Sequence, residues 1–114
     1  MPPREWVVRI EDILEASRRI VDYVGGSTQK EFAADTRTID AVIRNLTVIG
    51  EAARHIPEEA IQKYPETPWK EMRGIRNIVV HEYFGVSIPI LWKTATEDIP
   101  SLIPLLEMIV RDNR

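Results

Sequence analysis

The chain has 114 residues, no cysteine and a formal net charge of −3, from 15 basic and 18 acidic side chains. This length fits one domain over residues 1–114, the lack of cysteine excludes disulfides and thiolate zinc sites, and the negative charge argues against a nucleic-acid coat or scaffold. Two histidines 26 positions apart do not resemble a metal motif, so we expect no metal and no cofactor.

Hydropathy and the N-terminal sequence predict a cytoplasmic protein. No apolar stretch approaches the roughly 20 residues needed to cross a bilayer. The N-terminus MPPREWVVRIEDILEAS carries charges where a signal peptide would need an apolar centre.

The first half of the chain shows helical periodicity in three segments. Apolar residues at spacings of three and four predict a helix from about Trp6 that ends at the Gly25-Gly26 pair. Thr28 with Glu31 has the spacing of a capping box and predicts a short helix through about residue 34. The segment DTRTIDAVIRNLTVIGEAARHIP has the strongest period, and Gly50 within it indicates close packing against another helix.

The second half also favours helices throughout. Pro57 suits the first turn of a short helix, and Thr67 is a candidate cap for a helix with Pro68 at its first position and Gly85 at its end. The remainder predicts a helix from residue 87 to about 97, a break over 98–100, and a final helix kinked or shortened at Pro104. The predicted fold is therefore an all-α bundle of four to five main helices.

Polar residues interrupt an otherwise apolar helix in RNIVVHEY, residues 76–83. A buried polar group without a partner costs about 1–3 kcal/mol, so this run forms either a second surface or a site. Asn77 and His81 lie one turn apart, so the amide can orient the imidazole ring. Arg76 and His81, five residues apart, diverge by about 140° around a straight helix. Their convergence requires a distorted helix, side chains that wrap round it, or a second protomer.

Arginine and histidine together suit RNA cleavage without a metal. An imidazole, with an ordinary pKa near ~6.5, can accept the proton of a 2′-hydroxyl or protonate a leaving 5′-oxygen at neutral pH. A guanidinium can hold the phosphate and offset the charge that develops on it. One histidine cannot easily serve as acid and base at once, whereas a symmetric dimer presents two.

The string Arg76-Asn77-x-x-x-His81-x-Tyr83 resembles the R-x4-H-x-Y signature of the HepT-like group of HEPN proteins. The similarity extends along nearly the whole chain, through DILEA, DAVIRNLTVIGEAAR, PWKEMRGIRNIVVHEYFGV and LWKTATEDIPSL. R-x4-H alone is a weak motif, but the full string in a helical setting is much more specific.

The resemblance implies a single HepT-like HEPN domain that forms a symmetric homodimer and acts as a metal-independent ribonuclease toxin. It implies Arg76 and His81 as catalytic residues, Asn77 as a supporting residue, and Tyr83 as the acceptor of AMP. The AMP would come from a minimal nucleotidyltransferase antitoxin. A bulky anionic group two residues from His81 would fill the cleft and repel an RNA phosphate.

Other polar residues have ordinary explanations beside functional ones. Arg73 and Lys70 could contact RNA phosphates or belong to the solvated face of the helix. Glu51 or Asn45 could reach the cleft and orient the signature arginine. His55, at a predicted helix end, is best explained by capping.

The tryptophans are best explained by packing in the core or at an interface.

Two other functions compete with the nuclease. In one, the dimer cleft holds a nucleotide or docks the nucleotidyltransferase, and catalysis resides in that partner. In the other, the protein is only a helical scaffold, which leaves the polar residues of the 76–83 run without a purpose.

Overall fold

The computed structural model describes the backbone of residues 3–82 and 87–114 and the side chains of residues 6–79 and 87–114. These residues form seven α-helices and one π-helical turn, and they include no strand. The helices are α1 (Pro3–Val24), α2 (Gln29–Ala33), α3 (Thr36–Arg54), α4 (Glu58–Lys63), α5 (Trp69–Glu82), α6 (Ile88–Lys93) and α7 (Ile99–Asp112), with the π turn at Thr94–Asp98. The all-α prediction is confirmed.

Three long helices and the continuous α6–π–α7 segment build the core. Helix α3 packs against α1 on one side and α5 on the other, and α1 also packs against α7. Each helix buries a stripe at spacings of three and four, which is the pattern that predicted it. The central side chains, such as Ile10, Ile13, Leu46, Ile49 and Leu106, are fully buried.

The helix boundaries in the first half follow the sequence signals. Helix α1 ends at Val24, and the next residue, Gly25, has a φ of +52° that residues other than glycine rarely adopt. The predicted capping box is present: the backbone N–H of Glu31 donates to Thr28 Oγ1, and its carboxylate accepts from the backbone N–H of Thr28. The glycine therefore marks the end of α1, and the capping box marks the start of α2.

Two boundaries in the middle of the chain differ by one residue from their prediction. Pro57 is the N-cap of α4 and lies just outside its first turn. The proposal of Thr67 as the cap of α5 is wrong, because α5 begins at Trp69 and its first helical carbonyl is that of Pro68, which accepts from Met72 N–H at 3.0 Å. The predicted end of this helix at Gly85 lies outside the described residues.

The predicted break over residues 98–100 does not occur. The chain instead passes from α6 into α7 through the π turn, in which the N–H of Ile99 donates to the carbonyl of Thr94 five residues earlier. Pro100 cannot donate a backbone hydrogen bond, and the wider turn accommodates it without ending the helix. Helix α7 also continues through Pro104.

Among the described residues, no helix is long and apolar enough to span a membrane.

Candidate active site

Helix α5 carries the polar signature and is anchored by its apolar side. Met72, Ile75 and Val79 are buried, and the indole N–H of Trp69 donates to the carbonyl of Tyr64 at 2.9 Å. These contacts fix the buried side of α5, so that its polar residues lie on the remaining surface.

The other tryptophans also pack as expected. Trp6 is buried, and Trp92 packs on Phe32 with ring centroids 5.5 Å apart.

The backbone of α5 comes close to α3 at Arg76. A Cβ atom built on Gly50 would lie 3.4 Å from the backbone nitrogen of Arg76 and 3.8 Å from its Cα. The prediction that Gly50 marks close helix packing is confirmed. The side chain of Arg76 is exposed, so the close contact holds the backbone of this residue while its guanidinium remains accessible.

Arg73 has partners within the protein. Its Nε–H donates to the carbonyl of Ala53 and its Nη2–H to the carbonyl of Ile56, both at 3.2 Å. Because Arg73 reaches the end of α3 while Arg76 lies over Gly50, α5 runs antiparallel to α3. Arg73 is nevertheless exposed, as are Lys70 and Asn77.

The described side chains do not include His81 and Tyr83, for which the sequence predicts a catalytic role and AMP acceptance. Position 81 belongs to the backbone of α5, but the side chain of His81 lies outside the described residues, as does all of Tyr83. The predicted hydrogen bond between Asn77 and His81 therefore remains a prediction. Because α5 is helical over Trp69–Glu82, positions 76 and 81 stay about 140° apart around its axis.

Polar residues of α3 have local partners. Asn45 is buried and its Nδ2 donates to the carbonyl of Ala41, one turn back in the same helix. The carboxylate of Glu51 accepts from Arg54 at 3.4 Å. The described contacts therefore do not bring Asn45 or Glu51 to Arg76. His55 is the C-cap residue of α3, as its sequence context predicts.

A groove of about 470 Å³ separates α5 from the π turn and α7. Buried Met72, Ile75 and Leu102 contribute to its apolar lining, whereas Glu71 and Asp98 add acidic groups. None of the described residues that line the groove is basic. An apolar, acidic surface of this kind suits a protein partner better than an RNA phosphate.

Gly74 lies on the groove side of α5 and is not explained by packing within the chain. A Cβ atom built there would meet none of the described atoms within 4 Å, in contrast to the contact at Gly50. A glycine in a helix interior costs about 1 kcal/mol relative to alanine. Ile78 also lines the groove, and position 81 follows it by three residues on the same side of the helix. Gly74 was not predicted as part of the site, although a glycine inside a predicted helix is a visible signal.

Charge is distributed unevenly over the molecule. Helices α3 and α5 together carry six basic and four acidic residues, whereas the rest of the chain carries nine basic and fourteen acidic residues. Helix α5, which holds Arg76, and its neighbour α3 therefore carry a positive formal charge together, although the whole chain has a net charge of −3. This local charge favours contact with phosphate groups.

The sequence profile described as "Ribonuclease HepT-like" matches residues 13–109 of the chain. A protein of Methanocaldococcus jannaschii named as a "Putative RNase" is 40% identical over 112 residues, which cover 98% of this chain and 93% of the relative. A "Probable ribonuclease HepT" of Thermococcus cleftensis is 45% identical over 93 residues, covering 82% and 84% of the two chains.

A third relative, from Caldanaerobacter subterraneus and also named as a "Putative RNase", is 34% identical over 105 residues, covering 92% of this chain and 94% of its own. No solved structure matches the chain.

Proposed function

The chain belongs to the HepT-like ribonuclease family, and on this basis we propose that it is a metal-independent endoribonuclease toxin. The observation that carries the proposal is the string Arg76-Asn77-x-x-x-His81 on α5, in a chain whose relatives are named as ribonucleases. The exposure of Arg76 and Asn77 supports it, as does the positive charge of α3 and α5.

The reaction that we propose is an internal transfer within RNA. The 2′-oxygen attacks the adjacent phosphorus, the bond from phosphorus to the 5′-oxygen breaks, and the products carry a 2′,3′-cyclic phosphate and a 5′-hydroxyl. One imidazole accepts the 2′-hydroxyl proton and another delivers a proton to the leaving 5′-oxygen. His81 of each protomer supplies one of these groups, and the Arg76 guanidinium stabilises the charge on the phosphoryl oxygens. Asn77 orients the imidazole.

The working enzyme in this proposal is a symmetric homodimer. One α5 helix directs positions 76 and 81 to different sides and offers one signature histidine, so the site is incomplete without a second copy. The groove side of α5, with Gly74 and Ile78, leads to position 81 and has open space where another backbone can approach. We place the dimer contact along this side.

Control of the toxin is proposed to act at Tyr83. A minimal nucleotidyltransferase antitoxin would transfer AMP to its phenolic oxygen, with release of pyrophosphate from ATP. Tyr83 follows His81 by two residues. The added phosphate would place negative charge beside the cleft and repel the RNA backbone.

An RNA cleavage assay with EDTA present tests this function. Wild-type protein with unmodified Tyr83, shown by mass spectrometry, should cleave RNA and leave cyclic-phosphate ends. The variants His81→Ala and Arg76→Ala should be folded and inactive. Equal cleavage by His81→Ala would contradict the proposal.

The competing function is a nucleotide-binding or partner-docking module without catalysis of its own. Tight binding of ATP or of the nucleotidyltransferase in calorimetry, together with no RNA turnover by clean dimeric protein, would favour it over the nuclease. The acidic, apolar groove beside α5 is the feature that suits protein docking.

A further inference from the structure

We infer that Arg73 is a positioning residue, which sets the placement of Arg76 by tying α5 to the end of α3, and that it does not contact RNA. This inference deepens the proposed function and rests on it. From the sequence alone, Arg73 remained a possible phosphate contact, because a sequence does not show which groups a charged residue on an amphipathic helix contacts in the fold.

The two partners of Arg73 are backbone carbonyls at the end of α3 and just beyond it: Ala53 lies in the last turn, and Ile56 lies two residues after the helix ends. Helix α3 ends at Arg54, and the last carbonyls of a helix have no intrahelical donor and carry partial negative charge. The carbonyl of Ala53 also accepts from the backbone N–H groups that follow it, those of His55 and, at the long distance of 3.4 Å, of Ile56. The planar guanidinium supplies two parallel donors at 3.2 Å to this end of the helix.

These hydrogen bonds lie one helical turn from the candidate catalytic arginine. Arg73 precedes Arg76 by three residues, and Gly50 precedes Ala53 by three residues on the facing helix. Helix α5 is therefore fixed at two successive turns of an antiparallel pair. The hydrogen bonds of Arg73 to Ala53 and Ile56 hold one turn, and the close contact at Gly50 holds the next.

Apolar packing alone would fix this register less well. The buried side chains of Met72 and Ile75 hold α5 on the core, but apolar contacts are not directional. The two hydrogen bonds of Arg73 have defined directions, so they resist rotation and sliding of α5 along α3. A displacement of about 1 Å at a catalytic group can reduce turnover by about 100-fold.

The test compares Arg73→Met with Lys70→Met, which removes the same charge from an exposed position one turn earlier on α5. We expect Arg73→Met to lower kcat at least about 10-fold, with the Kd for RNA and its dependence on salt unchanged. Lys70→Met should instead weaken RNA binding and lower the slope of log Kd against log salt by about 1. A lower salt slope in Arg73→Met with kcat intact would overturn the inference.

The variant Arg73→Lys tests whether the paired hydrogen bonds of the guanidinium matter separately from its positive charge and from the overall stability of the protein. Lysine keeps the positive charge but cannot donate in the paired geometry of a guanidinium, so kcat should stay low although the variant folds. Full activity of Arg73→Lys would contradict the positioning role. Sucrose, which favours the folded state, should not restore kcat, whereas it would restore a variant that is merely unstable.

Hydrogen exchange tests whether Arg73 holds α5 in place on α3, even if the wild type cleaves no RNA. Amide protection in residues 69–79 and 49–56 should fall in both Arg73 variants and stay at the wild-type level in Lys70→Met. Unchanged protection in the Arg73 variants would refute the inference, whereas an inactive wild type with this loss of protection would refute only the nuclease.

Discussion

Mixing wild-type protein with the His81→Ala variant measures whether one active site needs a histidine from each protomer. Because α5 is helical over Trp69–Glu82, positions 76 and 81 diverge by about 140°. A single protomer therefore has Arg76 and its one signature histidine at positions on different sides of one helix. The proposed chemistry needs both an acid and a base, and a dimer with one His81 lacks one of them.

The size of the effect follows from random pairing in a symmetric dimer. At equal amounts, about one quarter of the dimers are wild type, about one half are mixed and about one quarter are variant. The reference is a sample of the same total protein concentration in which every protomer is wild type. If both histidines are needed, activity falls to about one quarter of that reference. If each protomer carries a complete site, activity falls only to about one half.

The assay measures initial rates of RNA cleavage after subunit exchange, which native mass spectrometry of differently tagged protomers verifies. Mixing with His55→Ala is the matched control, because His55 is the exposed C-cap residue of α3 and its loss should leave full activity. A residual activity of one half in fully exchanged samples with His81→Ala would refute the shared site.

Four further predictions address the dimer, its control and its stability. Gly74→Leu should fill the open position, shift the protein to monomers in light scattering and abolish cleavage, whereas Gln62→Leu, exposed on α4, should do neither. Tyr83→Phe should cleave RNA even with the nucleotidyltransferase and ATP present, whereas wild type should lose its activity under the same conditions. Met72→Ala should lower the free energy of unfolding by about 2–5 kcal/mol, since Met72 is fully buried; a loss below about 1 kcal/mol in urea denaturation would contradict the anchoring of α5.

The fourth prediction concerns acid stability. Hydrogen bonds from the side chain and backbone of Thr38 hold the pKa of Asp35 below its ordinary value. The stabilisation is thus fully present above the ordinary pKa and lost as the pH falls through the lowered one. Asp35→Asn should therefore unfold more readily than wild type at neutral pH, with a difference that closes in acid; a difference independent of pH would contradict this.

Local sequence signals predicted local structure well. The capping box at Thr28, the end of α1 at Gly25 and the close packing at Gly50 all follow from what one residue type can do in a helix. The break at residues 98–100 was predicted from Pro100 by the same reasoning, and it failed because a π turn retains the helix where proline removes one donor. Whether proline ends a helix depends on how neighbouring helices pack, which periodicity does not report.

Some features of the candidate site could likewise be predicted from the sequence, and others could not. The positions of Arg76 and His81 on one helix, and their divergence around it, follow from spacing alone. The partners of Arg73 are 17 and 20 residues away in sequence, so only the tertiary fold could assign them. The open space at Gly74 is equally a property of the gap between α5 and α7, because the sequence shows the glycine but not what surrounds it.

RNA cleavage in EDTA tests the central claim most directly. The protein should be dimeric, with Tyr83 shown to be unmodified, and compared with His81→Ala and Arg76→Ala of equal folded content. We expect that wild type alone cleaves RNA and leaves 2′,3′-cyclic phosphate ends. Inactivity of the clean dimeric wild type on several RNAs, or undiminished cleavage by His81→Ala, would contradict it.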